Sequence, residues 1–333
     1  MQKILVIQTA SIGDVILSTP VIENLHTRFP EAAIDLLIKK GMEELFAGHP
    51  FINDLIIWDK SRKYRDFLRV LKIIRKKRYD LVLNIQRFFL TGLVCVFSDA
   101  RKTIGFDKNP LSFLFTERMK HEFRPGVHEA ERNLSLISGL TGKDGSRMPK
   151  LYPGPEDEKT VRKFKSGSYV TISPASLWFT KQFPAEKWVE LIRSLPGETC
   201  IFLLGSPEDR ALCEQILKSS DNRKVMNLSG SLRFLESVSL MKDALMNYTN
   251  DSAPMHFASA VNAPVAVVFC STVPAFGFGP LSQAQTIIQT TLPLACRPCG
   301  IHGREECPEK HFQCALSISP GQFPLSRKNE IKM

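Results

Sequence analysis

The sequence predicts an α/β protein made of two similar halves. Three observations point to this class: short apolar strands alternate with amphipathic helices, the alternation stops near the middle of the chain, and it then begins again. A length of 333 residues suits two domains, at roughly 150 residues for each. We therefore expect two α/β domains that face each other across a cleft.

The first half is predicted to begin with a strand, a tight loop and a helix. Lys3 to Gln8 is a short apolar run, and apolar residues then recur at helical spacing from Val15 to Phe29, just before Pro30. The elements expected after them are a strand at 33–38, a short helix at 42–47, a strand at 55–58 and a strand at 81–85. This alternation is typical of a parallel sheet with helical crossovers.

A strongly basic helix is expected between the last two of these strands. Residues 60–78 include ten Lys or Arg residues, and Phe67, Leu68, Leu71 and Ile74 are spaced to form an apolar stripe. Two interpretations stay open for the basic face. It is either the solvated side of a crossover helix or a surface that lies against anionic lipid head groups or an acidic saccharide.

The boundary between the halves is predicted at residues 148–165, where Pro and Gly residues are followed by a polar stretch. Residues 1–150 then form the N-terminal domain and residues 151–333 the C-terminal domain. In the second half, strands are expected at 169–172, 201–204, 244–248 and 265–269, and helices at 186–193 and 209–218. The second half thus repeats the organisation of the first.

Composition narrows the class of protein. With 43% hydrophobic and 23% charged residues, the chain is a folded globular protein and not a disordered, collagenous or coiled-coil one. Its formal charge of +10 favours anionic partners such as nucleic acid, nucleotides or an acidic membrane surface. No apolar run approaches the roughly 18 to 20 residues of a membrane span, and the N-terminus lacks a signal-cleavage site, so a cytoplasmic location is expected.

Polar residues in loops after predicted strands suggest a site, because ligands of open α/β sheets bind at the carboxyl ends of the strands. In the first loop, residues 8–14, Gly13 would allow a tight turn. Asp14 would lie in the first turn of the next helix, with its carboxylate in the cleft. Asp14 is either such a functional carboxylate or an N-terminal helix cap.

Two later loops offer a cation and an anion-binding helix start. Lys181 lies in the loop 173–184, where its ammonium would neutralise a pyrophosphate, although a loop lysine on its own is usually solvated. In the other loop Pro254 suits a first helical turn whose free N–H groups bind anions, with Asp251 and Ser252 as capping oxygens. A base in one half and a phosphate site in the other suggest group transfer from a nucleotide donor.

These loops belong to a longer series of short motifs. The motifs are Ile12-Gly13-Asp14-Val15, Thr19-Pro20, Lys181 ahead of Phe183-Pro184 and Trp188, Gly230-Ser231-Leu232, Thr249-Asn250-Asp251-Ser252, Pro254-Met255-His256 and a cysteine-rich C-terminal end. In this order they resemble the family 9 glycosyltransferases, the heptosyltransferases of lipopolysaccharide core assembly, over residues 3–316. One departure is Ala253, where the family usually has Gly.

The resemblance implies a GT-B fold with two facing Rossmann-like domains and a central cleft. The N-terminal domain would bind the acceptor, a lipopolysaccharide core or similar lipid-linked saccharide, and the C-terminal domain an ADP-heptose or related nucleotide sugar. Asp14 would be the general base of an inverting transfer and Lys181 would hold the leaving diphosphate, with no metal required. The implied donor-binding residues are Ser173, Thr180, Lys181, Gly230, Leu232, Asp251, Ser252, Ala253, Met255 and His256, and the acceptor loop contributes Ser11 and Gly13.

Four of the eight cysteines lie close together near the C-terminal end, at Cys296, Cys299, Cys307 and Cys314. Their spacing suits a structural zinc site, and a disulfide or packed loop and a catalytic thiol are the alternatives. The other cysteines lie in apolar or helical stretches and are expected in the core.

Two other functions stay open. The same fold would serve an enzyme that uses another nucleotide sugar, and the positive charge would suit a non-enzymatic nucleic-acid-binding protein with a zinc cluster. As the glycosyltransferase, the protein would take a nucleotide sugar and a lipid-linked saccharide as partners and no nucleic acid. Peripheral contact with the anionic inner face of the cytoplasmic membrane is a further expectation.

Overall fold

Two parallel sheets of six strands each organise the chain, which divides between Tyr152 and Pro153 into two units. The computed structural model describes residues 1–142, 145–221 and 224–324. Residues 325–333, which belong to the predicted C-terminal domain, lie outside the described residues. The predicted fold class, two α/β domains with Rossmann-like parallel sheets, is confirmed.

The first unit contains a sheet of parallel strands connected by helices. Its strands are β1 (Lys3–Ile7), β2 (Ala33–Lys39), β3 (Asp54–Trp58), β4 (Leu81–Asn84), β5 (Lys102–Phe106) and β6 (Glu117–Met119). Its α-helices, among the described residues, are α1 (Ile12–Ile16), α2 (Thr19–Arg28), α3 (Lys63–Lys77), α4 (Phe89–Val96), α5 (Glu129–Ser135) and α6 (Ser138–Thr141). The strand order is β3-β2-β1-β4-β5-β6, and β1 and β4 at its centre are buried along almost their whole length.

The second unit repeats this topology. Its strands are β7 (Tyr169–Ser173), β8 (Cys200–Leu203), β9 (Val225–Asn227), β10 (Asn247–Asn250), β11 (Val265–Phe269) and β12 (Gln285–Gln289). Its α-helices, again among the described residues, are α7 (Pro155–Val161), α8 (Ala185–Ser194), α9 (Arg210–Ser220), α10 (Phe234–Lys242), α11 (Ala253–Ala260) and α12 (Gln313–Leu316). The order β12-β11-β10-β7-β8-β9 has β7 and β10 at its centre, in the positions of β1 and β4.

All but one of the predicted strands are found in place. The predicted strands that correspond to β1, β2, β3, β4, β7, β8 and β11 are confirmed. The strand predicted at 244–248 is wrong in position, because β10 runs from Asn247 to Asn250 and so includes two polar but fully buried residues, Thr249 and Asn250, beyond the predicted end. Strands β5, β6, β9 and β12 were not predicted. Among the described residues, none of the helices combines the length and apolar composition that crossing a bilayer requires.

The helix expected after β1 is broken in two. α1 ends at Ile16 and α2 begins at Thr19. The hydroxyls of Ser18 and Thr19 donate to the carbonyl oxygens of Val15 and Ile16, both at 2.7 Å, and Pro20 has no N–H to continue the ladder. The loop that follows β1 therefore leads into a short helix of its own.

Helix α3 turns most of the predicted apolar stripe inward, since Ile74 is fully buried and Phe67 packs against the same core cluster. Val70 and Ile74 are fully buried, whereas Leu68 is 63% exposed, so the predicted place of Leu68 in the buried stripe is wrong. Val70 and Ile74 are four residues apart and define the inner face. Asp66 lies on the same side, where its carboxylate accepts a hydrogen bond from Arg69 Nε at 2.6 Å.

The orientation of α3 predicts unequal effects of two similar substitutions. Ile74→Ala removes a fully buried side chain and leaves a cavity, so we expect the free energy of unfolding to fall by about 2–5 kcal/mol. Leu68→Ala removes an exposed side chain from the same helix and is expected to change it by less than about 0.5 kcal/mol. Urea unfolding followed by circular dichroism measures both, and equal losses would contradict the assigned orientation.

Candidate functional site

Polar side chains meet where the strand order reverses in the first sheet, between β1 and β4. Thr9 Oγ1 donates to Gln86 Oε1 at 3.0 Å, and the Gln86 side-chain amide donates to Gln8 Oε1. Lys60 Nζ donates to the Thr9 carbonyl oxygen at 2.9 Å, and burial lowers the pKa of Lys60. Because open α/β sheets bind ligands at such a reversal, the loop that carries Asp14 begins at a binding crevice.

Asp14 is fixed at the start of α1 by Ser11. Ser11 is the N-cap residue, and Asp14 Oδ2 accepts hydrogen bonds from Ser11 Oγ at 2.6 Å and from Ser11 N at 3.1 Å. Oδ1 of Asp14 accepts no hydrogen bond from the part of the chain that the structure describes. Asp14 therefore supports the helix start and still has an oxygen available. Gly13 lies inside α1, so the tight turn predicted there is wrong, since the cap at Ser11 starts the helix at Ile12.

A second carboxylate, Glu129, lies close enough to Asp14 for the two charges to interact. Burial raises the pKa of Glu129, Arg132 opposes this shift, and the negative charge of Asp14 adds to it. Nε and Nη2 of Arg132 each lie 2.7 Å from Glu129 Oε2. Asn133, also on α5, donates from Nδ2 to the Leu17 carbonyl oxygen at 3.1 Å. Asp14 thus belongs to a group of two carboxylates and one guanidinium.

The second sheet reverses its order between β10 and β7, and Asn250 joins the loops at that point. Its Nδ2 donates to the Pro174 carbonyl oxygen at 2.7 Å, and its Oδ1 accepts from the Phe183 N–H at 3.0 Å. Two buried hydroxyls on paired strand positions, Ser173 Oγ and Thr249 Oγ1, have no hydrogen-bond partner within residues 1–142, 145–221 and 224–324. The lysine-bearing loop is therefore attached near both of its ends to the end of β10.

Lys181, Asp251 and Thr272 form a charged group at this reversal. Lys181 Nζ lies 2.9 Å from Asp251 Oδ2, which also accepts a hydrogen bond from Thr272 Oγ1 at 2.6 Å. The Lys181 side chain is 15% exposed and the Asp251 side chain 9% exposed. Lys181 is thus not a solvated loop lysine, because a carboxylate holds its ammonium at the carboxyl edge of the sheet.

Helix α11 begins next to this ion pair. Ala253 is its first residue, Pro254 has no N–H, and the next N–H donates to the Ser252 carbonyl oxygen at 3.1 Å, so among the described residues the Ala253 N–H is the first-turn donor left for a ligand. Ser252 is the N-cap residue, but its side chain makes no capping hydrogen bond. Asp251 is engaged with Lys181 instead, so the predicted capping by these two oxygens is wrong. The helix start therefore depends on the Ala253 N–H for any anion.

The remaining predicted donor residues differ in accessibility. Met255 is fully buried and its N–H donates to the Ser252 carbonyl oxygen at 3.1 Å, so its side chain offers no surface to a ligand. His256 is also buried. Gly230 is exposed with a φ of +68°, and a Cβ there would lie 2.8 Å from Pro207 Cα. Leu232, in the same loop after β9, is half-buried.

The cysteine-rich segment, residues 296–314, contains free thiols. All eight cysteines lie within the described residues and none forms a disulfide. Cys296 Sγ lies 3.9 Å from His311 Nε2, but the described residues contain no group of three or more side chains placed to hold a metal, and zinc binding stays a prediction. Burial raises the pKa of Cys299, and raises that of Cys314 to about 11, which is the opposite of what a thiolate nucleophile needs.

Sequence reasoning missed three residues of these two charged groups. Thr272 had a usable signal, because it follows the predicted strand 265–269 at the carboxyl edge where site residues are expected. No sequence signal marks Glu129 and Arg132, because only the folded chain brings α5 beside the residues that follow α1.

Comparisons with known proteins point to one family. The model of glycosyltransferase family 9 (heptosyltransferase) matches residues 67–311. Lipopolysaccharide heptosyltransferase 3 of Escherichia coli is 28% identical over 276 residues, which cover 78% of this chain and 81% of that protein.

Solved structures show the same fold. The ADP-heptose lps heptosyltransferase II of E. coli has a TM-score of 0.77 at 23% identity, with 96% of each chain covered. An E. coli heptosyltransferase solved with ADP has a TM-score of 0.72 at 18% identity, covering 86% of this chain and 92% of that one. Because the family model matches well over half of its length, the chain belongs to glycosyltransferase family 9 and is a glycosyltransferase with a two-domain GT-B fold.

Proposed function

We propose that the enzyme transfers a heptose or a related sugar from an ADP-sugar to a lipopolysaccharide core or similar lipid-linked saccharide, with inversion at the anomeric carbon. The observation that carries the proposal is the placement of Asp14 and Lys181 beside the two strand-order reversals. A general base and a cation for the leaving diphosphate are the two groups that such a transfer needs.

The second unit is the proposed donor site. The Lys181 ammonium is already fixed by Asp251, and Thr272 fixes Asp251 in turn, so little reorganisation is needed when a diphosphate arrives. Because the Lys181 side chain is mostly buried, water screens the attraction between its ammonium and a phosphate oxygen less than at the surface. The start of α11, next to Asp251, adds the Ala253 N–H and the positive end of the helix dipole, which suit a phosphate oxygen.

The first unit is the proposed acceptor site, with Asp14 as the general base. One oxygen of its carboxylate is held by Ser11, which fixes the direction of the other. The available Oδ1 is the atom assigned to take the proton of the acceptor hydroxyl. Arg132 keeps the neighbouring Glu129 paired, so that Glu129 supports the charge balance of the site without competing for the acceptor.

The transfer is a single in-line displacement. The acceptor hydroxyl oxygen forms a bond to the anomeric carbon on the side opposite the diphosphate, while the bond from that carbon to the diphosphate oxygen breaks. The electron pair of the broken bond leaves with the nucleoside diphosphate, whose growing charge Lys181 stabilises. The hydroxyl proton passes to Asp14. One carboxylate is enough because a diphosphate is a good leaving group without a proton.

The scheme requires no metal cofactor, since the Lys181 ammonium and the positive N-terminal end of α11 supply the positive field around the diphosphate. We place the reaction at the cytoplasmic face of the membrane, where a lipid-linked acceptor is met. The outward face of α3 is the proposed contact with anionic lipid, because Lys72 and Lys76 are exposed there and Tyr64 is 78% exposed.

Removing the proposed base should abolish transfer and spare nucleotide binding. Asp14→Asn keeps an oxygen for Ser11 but cannot take the proton, so we expect kcat to fall by about 10²–10⁴-fold. The increase in melting temperature on adding ADP should remain as in the wild type. Asp209→Asn is the matched control, because Asp209 makes the same capping box with Ser206 in the second unit, and it should keep full activity. Full transfer by Asp14→Asn would remove Asp14 from the mechanism.

Removing the proposed diphosphate cation should weaken nucleotide binding. Lys181→Met keeps most of the side-chain volume but loses the charge, and hydrogen bonds to charged groups contribute about 1.5–3 kcal/mol, so the Kd of ADP should rise by roughly 10- to 100-fold. The control is Lys187→Met, which removes a lysine paired with Glu190 at 3.0 Å on α8. Titration calorimetry measures both, and unchanged ADP affinity in Lys181→Met would place the donor elsewhere.

The identity of the donor separates the proposal from its alternative. The names of the relatives support heptose as the transferred sugar, and the similar structure with ADP supports adenine as the donor base. Membership of a glycosyltransferase family decides against the alternative of a non-enzymatic nucleic-acid-binding protein. In a thermal-shift comparison of ADP-, UDP-, GDP- and CMP-sugars, we expect the ADP-sugar to raise the melting temperature most. A larger increase with another base would assign the enzyme to that nucleotide sugar instead.

A further inference from the structure

The cysteine-rich segment passes behind the lysine of the proposed donor site. We propose that Gly303 and the backbone of Arg304 position Lys181, so that this segment sets where the Lys181 ammonium lies. The inference rests on the proposed function, because it takes Lys181 as the cation of the donor diphosphate. It gives the segment a task that needs neither a metal ion nor a reactive thiol.

Thr180 and Arg304 are joined by two hydrogen bonds of opposite direction. The Thr180 N–H donates to the Arg304 carbonyl oxygen at 3.1 Å, and the Arg304 N–H donates to Thr180 Oγ1 at 2.8 Å. Ser271 adds two more, from Oγ to Thr180 Oγ1 at 3.0 Å and from its N–H to the Thr180 carbonyl oxygen at 3.2 Å. Thr180 is 1% exposed. The residue that precedes Lys181 is therefore fixed from two sides.

Gly303 packs directly against the aliphatic part of Lys181. A Cβ at Gly303 would lie 2.9 Å from Cγ and 3.1 Å from Cδ of Lys181, and 3.1 Å from Trp178 Cβ. The φ of Gly303 is +82°, which also favours glycine. Any side chain at this position would push the Lys181 methylenes away. The absence of a side chain at Gly303 therefore lets Lys181 extend towards Asp251.

The segment is itself anchored to the residues that follow β11, among them Thr272, which binds the other half of the ion pair. Arg297 donates from Nε to the Cys270 carbonyl oxygen and from Nη2 to the Thr272 carbonyl oxygen, both at 2.7 Å. The Cys299 N–H donates to the Ser271 carbonyl oxygen at 2.9 Å. Thr272 in turn donates to the carboxylate of Asp251, the partner of Lys181. One set of hydrogen bonds therefore holds both members of the pair.

The chain offers a matched pair of glycines for the test. Gly300 has a φ of +111° and nothing within 4 Å of a Cβ, so Gly300→Ala introduces backbone strain in the same segment without a collision. Gly303→Ala introduces similar strain and also displaces the Lys181 methylenes. The difference between the two variants isolates the contact with Lys181.

The first readout is the rate at which the Lys181 amine is reductively methylated, followed by mass spectrometry of the whole folded protein. We expect slow labelling in the wild type and in Gly300→Ala, and faster labelling in Gly303→Ala, because the displaced ammonium loses Asp251. Equal rates in the two variants would overturn the proposal. This readout does not involve a donor, so it remains decisive even if ADP does not bind and the proposed function fails.

The second readout is transfer. Gly303→Ala should lower kcat/KM on the order of 10²-fold relative to Gly300→Ala, the loss expected when a catalytic group is misplaced. In a Lys181→Met background the two glycine variants should be equal, because the group that Gly303 positions is gone. Unequal losses in that background would show a general structural effect and contradict the proposal.

A second pair of variants keeps the test decisive if Gly303→Ala does not fold. Thr180→Val removes the hydroxyl that accepts from the Arg304 N–H and keeps the side-chain shape, whereas Thr180→Ser retains the hydroxyl. Faster labelling of Lys181 in the valine variant than in the serine variant supports the link to Arg304. Equal labelling in the two would overturn it.

Discussion

In both parallel sheets the strand order reverses once, between β1 and β4 in the first unit and between β10 and β7 in the second. Crossovers of one handedness that start on opposite sides of such a reversal leave the sheet on opposite faces, so the carboxyl ends of the two central strands border an open crevice. Asp14 lies in the first turn of α1, the helix that follows β1, and Lys181 lies in the segment that follows β7. The proposed division of labour, with a base in the first unit and a diphosphate cation in the second, follows from this topology because each unit has one such crevice.

The two functional side chains are held in different ways. Asp14 is fixed locally by Ser11, three residues earlier, in a capping box that the helix start requires in any case. Lys181 is fixed by parts of the chain that are distant in sequence, namely Asp251 at its ammonium and Gly303 at its methylenes. Such a lysine keeps a defined position at low exposure, where its charge is screened less by water. The cysteine-rich segment contains few regular elements, and its proposed role is to make this contact with Lys181.

The sequence predicts the parts of the fold whose information is local. Apolar runs such as Lys3–Ile7 and Val265–Phe269 are strands as expected, and the acidic residue three positions after Ser11 marks a helix start. The position of β10 is wrong because its last residues, Thr249 and Asn250, are polar but buried, and hydropathy does not register the hydrogen bonds that hold Asn250 there. Contacts such as that between Gly303 and Lys181 have no periodicity to reveal them. Such contacts depend on the order of the strands in the sheet. The sequence therefore predicts the residues in the loops of the site but not the distant residues that position them.

The assignment of the nucleotide to the second unit is the centre of this account, and hydrogen–deuterium exchange with and without ADP tests it most directly. The account predicts slower amide exchange on ADP binding in the loops 174–184 and 251–256, with unchanged exchange in residues 9–17 around Asp14. Protection confined to residues 9–17, with none at the start of α11, would contradict it.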